Sequence, residues 1–382
     1  MNLPNYQDGS ILNLMSSIAR SFHGKTKYNP LALLSKGDLE SKNVVLIVFD
    51  GLGYEYLKKY GEGTVFNEYL RGKMTSLFPA GTAVVLPAFY TGDSCLIHGM
   101  TGWYEFIKEL GVISVPLRYT GRVDDFQLNQ AIEIDKIFNL RAFANKLKTN
   151  SYVINKSEYS RSDFSLLATG KAKIIDYDDM SGFFKGIKKA IKTNNKRKYV
   201  FAYLPDHDSL CHEFGTDSKK VLRNFKLMNK NLKKFLKSVP KDTTIIITAD
   251  HGLTNVPNSK KINMRKHPKL TNTLTLPLCG ESRLAYAYVK PHKSHEFENY
   301  MRTKLGKFCS IYKSHELVEK KFFGLEKPDK RFFDRIGDYT IIMKEGYAIK
   351  DYLISSSEEK SIGRHGGVSK EEMFVPLIVI KK

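Results

Sequence analysis

The chain has 382 residues, enough for one large α/β domain or two ordinary ones, and its 42% hydrophobic and 12% aromatic content supports a real core, which excludes a disordered chain. No apolar run approaches the ~18 residues that a bilayer-spanning helix needs, and four cysteines without CxxC spacing (Cys95, Cys211, Cys279, Cys309) point to a reduced, cytoplasmic setting. The net charge of +21 fits either an anionic partner or a solvated, lysine-studded surface, and the even spread of lysines favours the second.

Residues 1–10 lack a basic stretch followed by an apolar one, so no signal peptide is expected. Residues 9–20 predict a short helix. Gly24-Lys25-Thr26 ends like a phosphate-binding P-loop but fails as one, because the upstream glycine position is Ala19 and the tripeptide precedes the first core strand. That strand is Val44–Phe49, an unbroken apolar run suited to a parallel strand buried on both faces. It stops on Asp50-Gly51. At the carboxyl end of such a strand, where ligands bind in open α/β sheets, an acid before a turning residue can hold a cation or cap the loop.

Residues 53–70 read as helical and surface-lying. Pro79 and Gly81 then punctuate a turn, and the small, apolar residues from Ala83 to Tyr90 predict a buried helix that stops at Thr91-Gly92. Thr82 therefore falls at a helix N-terminus, where free N–H groups and the dipole favour an oxyanion, although threonine is also an ordinary cap there. Within 94–198, His98 to Trp103 form a glycine-rich loop carrying the sole tryptophan; helices are expected around 137–148 and 180–193, with a strand near 152–154.

A second buried strand, Tyr199–Leu204, runs into a loop with Asp206, Asp208 and His212; a third, Thr243–Thr248, runs into Asp250-His251-Gly252. Between them, Val221, Phe225, Met228, Leu232 and Phe235 make the apolar side of a helix whose outer side is lysine-rich. Residues 255–362 hold strand-like segments at 284–289 and 338–343 and a helix near 296–306, and are expected to complete the sheet and build a smaller lobe over it. Gly363-Arg364-His365-Gly366-Gly367 precedes a last strand, Val375–Ile380.

Three histidines and three aspartates at strand ends, with no thiolates in the pattern, suit zinc or manganese ligation but not a structural zinc site. Two such ions a few ångström apart clamp a phosphoryl group for in-line displacement, and the hydroxyl available as nucleophile is that of Thr82.

The order Asp50-Gly51, Phe78-Pro79 with Thr82, Thr91-Gly92, Asp208 with His212 and Gly215, Thr248-Ala249-Asp250-His251-Gly252, and His365-Gly366-Gly367 resembles the alkaline phosphatase superfamily. Within it the chain is most similar to the type I phosphodiesterase/nucleotide pyrophosphatase group, over residues 9 to 380. The resemblance implies an alkaline-phosphatase-like, three-layer α/β/α fold with a mostly parallel central sheet and a smaller accessory lobe. It also implies one catalytic domain over 1–382, with 94–198 and 255–362 as substrate-shaping insertions or accessory lobe.

By the same resemblance, Asp50, Thr82, Asp250 and His251 hold one divalent ion and Asp208, His212 and His365 the other, zinc being expected and manganese the alternative. Thr82 attacks phosphorus in a small anionic, nucleotide-like substrate, cleaving a phosphodiester or pyrophosphate through a phosphorylated or nucleotidylated threonine. Asp206 competes with Asp208, but only Asp208 keeps the four-residue spacing to His212 that a helical turn requires. Many relatives carry an asparagine three residues after the nucleophile, contacting the phosphoryl oxygens. Here that position is Val85, so the contact must come from backbone N–H groups near Thr82 or from elsewhere.

Residues 78–82 lack the Cys/Ser-x-Pro-x-Arg setting of sulfatases. Phosphomonoester or phosphonate hydrolysis at the same site is the alternative; a monoesterase needs an added cation, for which Arg283 and Arg364 are candidates by position. A basic nucleic-acid-binding protein on a disused hydrolase scaffold would have lost ligand positions, and all seven are present. The oligomeric state is not set by the sequence.

Overall fold

A computed structural model describes residues 1–123, 125–353 and 360–382; residues 124 and 354–359, which fall in the two expected insertions, lie outside the described residues. Its centre is a seven-stranded sheet. In chain order the strands are β1 (Asn43–Phe49), β2 (Leu70–Thr75), β3 (Asn150–Lys156), β4 (Lys173–Tyr177), β5 (Lys198–Leu204), β6 (Thr243–Thr248) and β7 (Phe374–Lys381). Their spatial order is β2-β7-β6-β1-β5-β3-β4. Neighbours from β6 to β4 pair in parallel, and β7 runs antiparallel to both β6 and β2. The sheet is thus mostly parallel, as expected.

Strands β1, β5 and β6 are buried along their whole length, which is why each reads as an apolar, β-branched or aromatic run without alternation. Their register puts Phe49 beside Leu204 and Val48 beside Thr248. The three acid-bearing turns consequently leave the sheet side by side at its carboxyl edge. That alignment is what gathers residues two hundred positions apart.

Helices cover both faces. In chain order they include α1 (Ile11–Ser21), α2 (Thr82–Thr91), α3 (Met180–Lys192), α4 (Asp206–Phe214) and α5 (Lys219–Leu236). Phe201 on β5 lies beside Leu46, three residues before Phe49, so Phe201 and Phe49 point to opposite faces. Phe89 and Tyr90 of α2 pack on Phe201, and Phe183 of α3 packs on Phe49. This is the three-layer arrangement. Helix α5 buries the apolar set expected of it, Val221, Phe225, Met228, Leu232 and Phe235. Among the described residues, no helix is long and apolar enough to cross a membrane.

Three expectations need correction. The stretch 53–70 holds only two short helices, Tyr54–Tyr60 and Val65–Glu68, and gives way to β2. Strands β2 and β4 are the sheet's edges, partly exposed and polar, so neither carries the buried-strand signal. Around 137–148 there are two single-turn helices, Ile134–Ile137 and Phe143–Lys146. Residues 255–362 do not complete the central sheet, which β2 and β7 do. They build a separate four-stranded antiparallel sheet of Cys279–Gly280, Leu284–Ala287, Tyr339–Met343 and Cys309–Lys313 over its own apolar core.

Candidate active site

The site is assembled at the carboxyl edge of the sheet. Asp50 follows β1 directly, and Gly51 turns the chain away with φ +72°, a conformation that favours glycine; a Cβ there would also lie 3.1 Å from the Asp208 Cα. Helix α4 begins just past β5 and sets Asp208 and His212 one turn apart, with Asp208 Oδ2 3.2 Å from His212 Nε2. Asp206 instead faces Lys156 at 3.3 Å, on a half-exposed side chain. Asp250 and His251 follow β6. Asp250 Oδ1 accepts the N–H groups of Gly51 (3.1 Å) and His251 (3.0 Å), which ties the two turns together. His365 arrives from the loop before β7 and stacks on His251, with ring centroids 3.9 Å apart.

Thr82 is the first residue of α2, with Gly81 as its cap. Its Oγ1 lies 2.9 Å from His251 Nε2. The first intrahelical bonds run from Val84 and Val85 to the Gly81 carbonyl, so the N–H groups of Thr82 and Ala83 precede them. Val85 is fully buried one turn further on, in the hydrophobic core. A polar phosphate contact from that position is absent, as its side chain dictates.

Two groups of ligand atoms converge here, Asp208 with His212 and His365, and Asp50 with Asp208 and His251; within each group the atoms lie within 4.8 Å of one another. Asp250 adjoins the second group, its Oδ2 3.5 Å from His251 Nε2. Asp50 Oδ1, Asp208 Oδ1 and Asp250 Oδ2 are buried without a hydrogen-bond partner. Orphaned carboxylate oxygens in a dry pocket are costly unless a cation meets them. His212 Nδ1 lies 2.7 Å from the Gly363 carbonyl and His251 Nδ1 3.1 Å from that of Gly252, which leaves each Nε2 as the ring atom that could meet an ion. The donor set is oxygen and imidazole nitrogen, and it fits divalent ions of the zinc or manganese kind.

The electrostatics carry the same message. Burial, then the charges of Asp250 and Asp208, pushes the Asp50 carboxyl well above the usual range, and burial also raises Asp250. Burial works against an ionised Asp208 too, but His212, His365 and His251 outweigh it and hold that carboxyl below its ordinary value. Burial and the neighbouring His251 hold His365 well below the usual imidazole range. This is a pocket short of positive charge on one side and crowded with imidazole on the other.

Asp208, His212 and His365 open into a cleft of about 360 Å³. Thr82 lines it, with Trp103, Tyr104, Arg118 and Tyr159 from the 94–198 segment, Glu281 and Lys350 from the 255–362 segment, and Arg364. Of the two arginines considered from sequence, Arg364 lines the cleft. Arg283 does not: it is buried in a two-pronged pair with Glu372, at 3.0 and 2.8 Å, and donates to the Lys344 carbonyl at 2.7 Å.

Two site residues carry no local signal in the sequence. Tyr203 donates its hydroxyl to Asp50 Oδ2 from within the aromatic run of β5. Glu281 sits in a turn of the lobe sheet, where it accepts the Trp103 N–H at 3.0 Å; burial pushes its carboxyl up to about 8.

The profile of the family described as type I phosphodiesterase / nucleotide pyrophosphatase matches residues 44–368. No curated protein sequence matches the chain. Among solved structures, it is similar to murine ectonucleotide pyrophosphatase / phosphodiesterase 5, with 17% identity, a TM-score of 0.66, and 89% of this chain and 88% of that one covered. The same murine protein, as an inactive variant in complex with AMP, gives 19% identity and a TM-score of 0.64 over 87% of each chain. Phosphonoacetate hydrolase from Sinorhizobium meliloti, in complex with phosphonoformate, gives 16% identity and a TM-score of 0.61, with 88% of this chain and 89% of that one covered. At these identities the likeness shows a shared fold, while the match over residues 44–368 shows kinship: the chain belongs to the type I phosphodiesterase / nucleotide pyrophosphatase family of phosphoester hydrolases.

Proposed function

We propose that this enzyme cleaves a phosphodiester or pyrophosphate bond in a small, nucleotide-like substrate through a covalent bond to Thr82. The observation that carries the reading is the placement of Thr82: a hydroxyl at the start of a ten-residue helix, 2.9 Å from His251 Nε2, on the wall of the cleft that Asp208, His212 and His365 also line. The AMP complex of a structural relative supports a nucleotide as the substrate class.

Asp50, Thr82, Asp250 and His251 would hold one divalent ion and Asp208, His212 and His365 a second, zinc first and manganese as the alternative; when bound, such ions lower the pKa of a hydroxyl and offset charge on phosphoryl oxygens. The chain's own residues do the rest. Thr82 Oγ1 bonds to phosphorus as the leaving group departs, and water then cleaves the threonine ester. The N–H groups of Thr82 and Ala83, at the positive end of α2, face the developing charge in place of the asparagine missing at Val85. The segments 94–198 and 255–362 supply much of the cleft lining, which supports one catalytic unit with two substrate-shaping insertions. Four free, buried cysteines support a reducing, cytoplasmic setting.

Phosphomonoester or phosphonate hydrolysis is the second reading. It draws on Arg364, a cation beside the ligand groups that could meet an extra phosphoryl charge. Parallel assays of bis-p-nitrophenyl phosphate and p-nitrophenyl phosphate, on chain reconstituted with zinc or manganese, separate the two. Diester turnover supports the first reading; monoester turnover alone replaces it with the second.

A further inference from the structure

Lysines that are spread along the sequence are gathered by the fold. Helices α3 and α5 share one face of the sheet: Phe183 of α3 packs on Phe49, and Phe225 of α5 stacks on Phe66, which packs on Phe49 in turn. Asn231 Nδ2 donates to Met180 Sδ at 3.5 Å, and one turn further along both helices the rings of Phe184 and Phe235 are 5.2 Å apart, so the two run side by side and parallel. Their outer sides share one surface.

Neither helix contains an aspartate or a glutamate. On α3, Lys185, Lys189 and Lys192 are exposed and Lys188 is half-buried; on α5, Lys226, Lys230, Lys233 and Lys234 are exposed, as is Lys237 just past its end. Spacings of three and four residues keep the α5 set on one side. Among the described residues, none of these lysines has an ion-pair partner. The acids at the helix ends do not balance them. Asp179 caps α3 by accepting the Gly182 N–H at 2.6 Å, Asp217 pairs with Lys59 at 2.8 Å, and Asp242 accepts the Lys42 N–H at 3.0 Å. Asp178 precedes α3 by two residues, at least two turns from the α3 lysines. Cations set together without acids repel one another, and an anionic partner relieves that repulsion.

Shape and side chains decide which anion. Two helices packed side by side, with axes about 10 Å apart, present a broad plate. Their aromatic residues, Phe183, Phe184, Phe225 and Phe235, are buried, so no ring is offered for base stacking. The cations are mainly lysines, which lack the planar fork that arginine brings to nucleic acid. Leu227 is 46% exposed among them. A planar anionic lipid surface meets these ammonium groups together and accepts the leucine at its headgroup boundary.

We infer that the outer face of α3 and α5 is a docking surface for an anionic lipid bilayer. The active site is at the carboxyl edge of the sheet and the plate is on a face of it, so docking and turnover use different surfaces. Sedimentation of the full chain with phosphatidylcholine vesicles, with and without phosphatidylserine, tests the inference. Binding is expected only where phosphatidylserine is present, and is expected to weaken as salt rises. Each lysine close to such a surface contributes about fivefold in partition, so Lys188→Gln, Lys192→Gln, Lys230→Gln and Lys234→Gln combined are expected to weaken binding at least ~100-fold. A control variant removes the same charge from exposed positions of the lobe: Lys266→Gln, Lys269→Gln, Lys304→Gln and Lys307→Gln. Because charges beyond a Debye length of about 10 Å are screened, it is expected to stay within about threefold of wild type. Equal losses in the two variants would mean adsorption by net charge alone and overturn the docking face, as would a wild-type chain indifferent to phosphatidylserine. A short RNA duplex is the second probe: binding to the duplex but not to vesicles, lost in the helix variant, overturns the lipid assignment in favour of nucleic acid.

Discussion

Thr82 and His251, 169 positions apart, meet through a hydroxyl oxygen and an imidazole nitrogen 2.9 Å apart. The contact joins the N-terminus of α2 to the turn after β6, and both side chains are buried. With His251 Nδ1 directed at the Gly252 carbonyl, Nε2 is the ring atom that meets Thr82 Oγ1 in the pocket. Replacing Thr82 by valine keeps the shape and removes the oxygen. Diester turnover is expected to fall by at least ~10³-fold, with metal content, measured by elemental analysis, retained in larger part.

The ligand groups make a different prediction for two aspartates of one helix. Asp208 converges with His212 and His365, whereas Asp206 is paired with Lys156 on the surface side. Asp208→Ala and His365→Ala are expected to lose about one bound ion per chain. Asp206→Ala is expected to keep the wild-type stoichiometry. The reverse pattern would transfer the ligand role to Asp206.

Arg283 belongs to stability, not to the site. Its guanidinium and the Glu372 carboxylate are both buried, and Glu372 also accepts the N–H of Gly367, close to His365. Removing the arginine alone leaves an uncompensated buried charge, which costs about 3–5 kcal/mol. Arg283→Ala is expected to lower the urea midpoint accordingly, as followed by circular dichroism. A variant with wild-type stability and a raised KM would restore Arg283 as a substrate contact.

What was legible in the sequence follows from where each signal is stored. Strands β1, β5 and β6 are covered on both faces, so burial forces unbroken apolar runs, and the acids that end them stand out. Helices α2 and α5 were legible for related reasons, one through a Pro/Gly turn and a wholly buried run, the other through its apolar stripe. Strands β2 and β4 were not, because an edge strand is half wet and its residues alternate or mix. Glu281 and Tyr203 were not, because their importance lies in what they touch: Trp103 is 178 residues from Glu281, and Asp50 is 153 residues from Tyr203. Such pairings are created by the sheet register and leave no local spacing. Arg283 and Arg364 looked equivalent from position alone, and only packing separates a structural ion pair from a cleft-lining cation.

The most direct test of the account is a rapid acid quench of the metal-loaded chain turning over thymidine 5′-p-nitrophenyl phosphate, followed by peptide mapping with mass spectrometry. A thymidylyl group on Thr82, absent from Thr82→Ala, is the predicted result. Turnover with the adduct on another residue, or a Thr82→Ala variant that cleaves the ester at the wild-type rate, would contradict it.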